Sequence, residues 1–182
     1  MSDSGEAGDL VGDITRWLAE QRADAAAASR ARERWLRQAA DEEALVAGVL
    51  LDLAERAATV VLQGVAGRSH RGVVRAVGED FVALRTGRSD VLLPFDAVVA
   101  IRAEGQPVSG GERAHALDVA FPEAVAAIAG DRPRVLVVAR DGSGMAGELR
   151  AVGRDVLTLR LADAADVVYV PLASVAELAI VD

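Results

Sequence analysis

GVVRAVGEDFVALR (residues 72–85) and GELRAVGRDVLTLR (residues 147–160) decide how this chain is read. Eight of their fourteen positions are identical at a constant offset of 75: Gly72/Gly147, Arg75/Arg150, Ala76/Ala151, Val77/Val152, Gly78/Gly153, Asp80/Asp155, Leu84/Leu159 and Arg85/Arg160. An internal repeat takes precedence over local propensity, because missing it misassigns the whole fold. The match extends upstream, where TVVLQGVAG (59–67) faces RVLVVARDG (134–142). Downstream, LPFDAVVAI (93–101) faces VPLASVAEL (170–178) at offset 77.

Each copy is preceded by a helical pattern. Asp41 is placed to cap a helix over 41–57, with Leu45, Val49, Leu50 and Leu53 on one face. Residues 113–129 form the second candidate, with Leu117, Val125 and Ile128 as its apolar positions. Pro122 lies inside that stretch and must kink it or start a new helix. Within each copy the period then changes to that of short Val- and Leu-rich strands separated by glycine-bearing turns. Val74, Ala76, Val82 and Leu84 are expected to face inward, as are Leu149, Ala151, Leu157 and Leu159. Gly78 and Gly153 occupy one equivalent turn, where a positive φ is expected.

The order of a helix and then V-x-L-x-G, G-x-V-x-x-V-G-x-D-F-V-x-L and L-P-x-x-x-V-x-x-I resembles the Sm, LSm and Hfq proteins, over residues 41–102 and 112–181. The resemblance implies a small barrel that pairs edge strands with neighbours, often in rings, and often binds RNA. The residues that family uses on RNA are not all present. Sm proteins place an asparagine after the aspartate of their first motif, and this chain has no asparagine. Arg102 follows Ile101 as in the second motif, but Ala103 stands in place of the glycine. Neither LPFDAV nor VPLASV carries the basic-aromatic-histidine signature of Hfq.

The expected fold is α+β: an N-terminal helical arm (1–40) followed by two tandem Sm-like repeats (41–104 and 105–182). Each repeat is expected to be a helix plus a small, strongly bent antiparallel five-stranded barrel. The 182 residues are 52% hydrophobic, enough for a core. They carry 28 acidic residues and 20 basic ones, all arginine, for a net charge of −8, which disfavours nonspecific binding to phosphate backbones. Without cysteine there is no disulfide, thiolate nucleophile or thiolate metal site. MSDSGEAGDL has no signal-peptide pattern and no apolar run reaches bilayer length, so a cytoplasmic protein is expected.

Three features invite a functional reading. Gly142-Ser143-Gly144-Met145-Ala146-Gly147 is a literal G-x-G-x-x-G, yet ELRAVGRDVLTLR after it reads as strands and not as the helix a dinucleotide needs. A hairpin is therefore expected. Arg68, His70, Arg71, Arg75, Arg85 and Arg88 form a candidate anion or RNA patch, since residues 58–103 hold six arginines against four acidic residues. The alternative is that these arginines cover the exterior and pair with Glu and Asp. His70 stands among Arg68 and Arg71, which would repel a metal cation, so a solvated loop histidine is expected. His115 lies in a different element, and no Ser/His/Asp set is formed.

In the arm, Ile14, Trp17, Leu18, Trp35 and Leu36 run at helical spacing and place both tryptophans on one stripe, a candidate partner-helix surface. The other reading of that stripe is packing on the rest of the same chain. No enzyme, cofactor, metal, membrane or small-molecule substrate is expected. The expected function is a noncatalytic binding module acting as a scaffold or regulator through a protein partner or self-association. The alternative is an RNA-binding post-transcriptional regulator.

Overall fold

The computed structural model describes residues 29–30, 32–35, 44–87, 89–104, 115–162 and 166–181. The chain divides into two units, residues 1–44 and 45–182. In the first, residues 29–30 and 32–35 are helical and exposed. The second begins with helix α1 (Val46–Glu55), followed by β1 (Thr59–Gly64), β2 (Ser69–Val77), β3 (Phe81–Arg85), β4 (Asp90–Pro94) and β5 (Val98–Glu104). It continues with β6 (His115–Ala116), α2 (Phe121–Ala129), β7 (Arg134–Ala139), β8 (Gly144–Val152), β9 (Val156–Leu161), β10 (Val167–Pro171) and β11 (Val175–Ile180).

The strands overturn the expectation of two helix-plus-barrel repeats. All eleven belong to one sheet, in the order β10-β9-β8-β7-β11-β4-β3-β2-β1-β5, with β6 added parallel to β2. Closing a barrel requires the terminal strands of a set to pair. Among the described residues β4 does not pair with β5, nor β10 with β11; instead β11 pairs antiparallel with β4, Leu178 facing Leu92 and Ala179 facing Val91. The unpaired edge of β4 is thus satisfied by a strand distant in sequence, Leu178 lying 86 residues beyond Leu92. One continuous open sheet results.

The kinship of the two halves persists in register. Val60 faces Ala103 as Val135 faces Ile180, and Leu84 faces Val91 as Leu159 faces Val168. The chain leaves α1 through Ala57 and α2 through Arg132, with φ of 49° and 50°. The positive-φ glycines are Gly67 and Gly142, again equivalent.

Two apolar cores flank the β4–β11 junction. Leu50, Leu53 and Ala54 of α1 join Val60, Leu62, Val74, Val82, Leu84, Val91 and Leu93 in one. Phe121, Val125 and Ala129 of α2 join Phe81, Leu92, Val137, Leu149, Leu157, Leu159 and Leu178 in the other. Successive strand residues point to opposite faces. Val91 and Leu93 therefore feed the first core while Leu92 feeds the second, and Leu178 and Ala179 divide in the same way.

Several local expectations need correction. The first helix begins at Val46 and not near Asp41, which lies outside the described residues; Leu45 and Val49 are exposed, so the buried stripe is Leu50, Leu53 and Ala54. Residues 115–116 form β6 and Leu117 lies outside any helix, because Pro122, in the first turn of α2, starts a new helix there. Ala76 is only half-buried and Ala151 is exposed. A β-bulge between Val74 and Ala76, and another between Leu149 and Ala151, inserts one residue and reverses the alternation, so that Val77 turns inward. Gly78 and Gly153 do not have positive φ. Gly78 is required for a different reason: a Cβ there would enter the Phe81 ring and come within 2.8 Å of the Val119 carbonyl oxygen.

Candidate interaction surface

The arginine patch is laced with carboxylates. Arg71 donates from Nε to Glu104 Oε2 at 2.8 Å, and Arg102 donates to Glu104 Oε1 at 3.1 Å. Arg85 faces Asp90 across the β3–β4 pair and binds both of its oxygens, with Nη2 to Oδ2 at 2.8 Å. Register places Arg71, Arg85 and Arg102 on one face of β3, β2, β1 and β5, since Arg71 and Arg102 both oppose Val61 while Arg85 opposes Val73. That face is an alternation of charges and not a positive groove. The Arg71 guanidinium, through its hydrogen bond, holds the Glu104 carboxyl below its usual range. Arg75 is half-buried at the bulge, and Arg88 lies outside the described residues.

Arg68 and His70 leave this face altogether. His70 is not a solvated loop residue. It lies in β2 with its side chain nearly buried, and its Nε2 is 2.5 Å from Oε2 of Glu177 on β11. Arg68 Nε approaches Glu177 Oε1 at 2.7 Å, but its N–H direction misses the oxygen, which has no hydrogen-bond donor aimed at it. Glu177 is 1% exposed and is the one buried charged residue among those described. The equivalents of Glu177, Arg68 and His70 in the other half are Ala100, Ser143 and Met145, so this ionic cluster exists at one place only.

Further ties cross between the halves. Arg140 in the β7–β8 turn pairs with Asp96 Oδ1 at 2.6 Å and donates to the Ala173 carbonyl at 2.9 Å. Asp80 in the β2–β3 turn accepts from the Phe121 backbone N–H at 2.6 Å, capping α2 from a distant segment. A cavity of about 390 Å³ lies here, with Pro94, Phe95, Phe121 and Leu172 as its apolar wall. Its polar groups, Asp80, Asp96 and Arg140, are engaged with one another or with backbone, so it presents no uncommitted acid–base pair. The G-x-G-x-x-G segment runs into β8, which pairs antiparallel with β7; no helix N-terminus follows it to hold a pyrophosphate. Among the described residues no cluster of three potential metal ligands occurs, and no helix is long and apolar enough to cross a membrane.

Three exposed apolar residues lie on the end strands of the sheet. β5 and β10 end the strand order, each with one edge unpaired by any described strand. Val99 on β5 is 60% exposed, and Val167 and Tyr169 on β10 are 49% and 68% exposed. Unpaired N–H and C=O groups on a strand beside apolar side chains form a template for another strand. Of the candidate helical stripe, Trp35 is helical and 67% exposed, while Ile14, Trp17, Leu18 and Leu36 lie outside the described residues. Glu177 and Tyr169 were not singled out from the sequence. The available signal was a lone acid in the apolar run VAELAI and the single tyrosine of the chain in VVYVP. In comparisons with known proteins, no family model matches this sequence and no curated protein is significantly similar to it.

Proposed function

We propose that this chain is a noncatalytic binding module, a scaffold or regulator that acts through protein contacts made along the open edges of its sheet. The observation that carries the reading is the exposure of Val99, Val167 and Tyr169 on the two strands that end the sheet. Addition of a strand to such an edge supplies main-chain hydrogen bonds for affinity and alternate side chains for specificity. The acidic balance of the chain and the pairing of Arg71, Arg85 and Arg102 with carboxylates favour a protein over a nucleic acid. The proposal includes a cytoplasmic setting, supported by the cysteine-free composition.

The test is affinity purification of the tagged full chain with and without ribonuclease, in parallel with a Tyr169→Asp variant. The expected outcome is a protein that stays bound after ribonuclease and is lost from the variant. Salt-sensitive binding of a labelled single-stranded RNA, abolished by Arg71→Ala, would instead establish the RNA reading.

A further inference from the structure

We infer that the outer face of β2, β1 and β5 carries a carboxylate-binding site. Glu104 occupies it from within the chain, and an acidic side chain of a partner protein takes its place between Arg71 and Arg102. The site uses side chains on the face of the sheet and does not depend on strand addition at an edge. Register builds it. Gln63 opposes Ser69 on one side and Ala100 on the other, Val61 opposes Arg71 and Arg102, and Thr59 opposes Val73 and Glu104. Opposed residues share a face, and so do residues two apart along a strand. An amide and a hydroxyl thus lie beside a pair of guanidinium groups that flank Val61, with one carboxylate on their far side. A hollow of about 200 Å³ opens there, lined by Val61, Gln63, Ser69, Ala100 and Arg102.

The hollow has donors to spare. Arg71 Nε and Arg102 Nη2 grip the two oxygens of the same carboxylate, at 2.8 and 3.1 Å. A guanidinium offers a fork of N–H groups, and among the described residues Glu104 is the one side chain that either arginine meets. The Gln63 amide and the Ser69 hydroxyl have no hydrogen-bond partner among the described residues. Two cations over one anion leave a positive surplus beside these polar groups. The Glu104 side chain is 32% exposed and both arginines are more so. An ion pair this open to water is weakly held, so a second carboxylate can displace the first.

The other half of the chain is an internal control. Gln63, Ser69, Arg71, Arg102 and Glu104 correspond there to Val138, Gly144, Ala146, Ala179 and Val181. Val138 and Ala179 are buried, and Leu136, the counterpart of Val61, packs against the core of the first half. Where this face is covered it is apolar, apart from Glu177, the counterpart of Ala100, which meets His70 and Arg68. Where the face is open it carries converging cations. Covering Arg71 and Arg102 with an apolar sheet would strand their charge, so this face is fitted to a charged ligand and not to a second copy of the chain. A net charge of −8 disfavours a phosphate backbone, whereas a single carboxylate matches the group already held.

The test is an NMR titration of the full isotope-labelled chain at low salt with a blocked tetrapeptide carrying two central glutamates, its glutamine analogue, inorganic phosphate and a single-stranded RNA. The glutamate peptide is expected to shift the backbone amides of Ser69, Arg71, Ala100 and Arg102, less so as salt is raised, and the glutamine peptide is expected to shift none. Glu104→Gln vacates the site and should tighten binding several-fold, whereas Arg102→Gln should weaken it several-fold. Arg160→Gln, which removes the same charge from an exposed position of the other half, should leave it unchanged. Absence of shifts at these amides overturns the inference, as does a Glu104→Gln variant that binds no more tightly than the parent. Equal weakening in Arg160→Gln and Arg102→Gln overturns it too, since bulk charge would then be responsible. Tighter binding of phosphate or of the RNA at the same amides overturns the assignment to a carboxylate. Tyr169→Asp, which tests the sheet edge, should leave peptide binding intact, so the two readings fail separately.

Discussion

Nε2 of His70 and Oε2 of Glu177 lie 2.5 Å apart although 107 residues separate them in sequence. One belongs to β2 and the other to β11, so the contact spans the junction of the two halves. A buried charge without its partner is costly, whereas replacing the whole cluster by neutral side chains is close to neutral. His70→Met alone, which leaves the buried Glu177 carboxylate without its hydrogen-bond partner, is therefore expected to lower stability to urea by about 3 kcal/mol. The triple variant Arg68→Ser/His70→Met/Glu177→Ala, which installs the residues of the other half, should recover most of that loss. A single variant as stable as the parent would show that the cluster contributes nothing to the junction.

Gly78 and Gly153 are equivalent in sequence but differ in surroundings. A Cβ at Gly78 would fall within the Phe81 ring and against the Val119 carbonyl, both fixed by packing, whereas at Gly153 the nearest atom is Val156 Cγ1 at 3.2 Å. Val156 is half-exposed and can move. Gly78→Ala should thus cost about 1–3 kcal/mol by overcrowding, against a few tenths for Gly153→Ala. Thermal unfolding of the two variants checks this, and equal melting temperatures would contradict it.

The repeat was legible because identities at a fixed offset need no structural assumption, and every strand pairing in 59–104 has its equivalent in 134–180. What the sequence hid was which edges meet. Local patterning at Val91, Leu92 and Leu93 says that the strand is apolar throughout, but not that alternate residues feed different cores, since that depends on β11 arriving beside it. The bulges were hidden for a related reason: Arg75 and Arg150 continue a perfect alternation in sequence, and only the cross-strand register shows the extra residue. His70 looked solvated because its neighbours are arginines, while its partner lies in the other half.

Asp80 and Asp155 make a second divergent pair. Both backbone carbonyls accept equivalent hydrogen bonds, from Phe95 at 2.7 Å and from Leu172 at 2.8 Å. Only Asp80 also caps a helix, through Oδ1 to the Phe121 N–H. Asp80→Ala is expected to cost roughly 1 kcal/mol, the usual loss of a helix cap, and Asp155→Ala less than half of that. Chemical denaturation resolves the difference, and the Asp80→Asn variant should retain part of the stability because its amide oxygen can still accept.

Acid behaviour follows from two carboxyls shifted in opposite directions. Desolvation, then a hydrogen bond and charge repulsion from Asp118, raise Glu79 above 4.5, while the Arg71 hydrogen bond lowers Glu104 below 4.5. For Glu79 the folded state binds the proton more readily than the unfolded one, so its contribution is favourable at low pH and is lost as pH rises through its folded value. For Glu104 the sign is reversed: its contribution is present above the ordinary carboxylate value and is lost as pH falls through the depressed one. NMR titration of the side-chain carboxyls should find the Glu79 midpoint above 4.5 and that of Glu104 below it. Asp118→Asn should lower the Glu79 midpoint only part of the way, because desolvation is the larger cause, and Arg71→Ala should raise that of Glu104. A Glu79 midpoint unmoved by Asp118→Asn would mean that the neighbouring carboxyl takes no part.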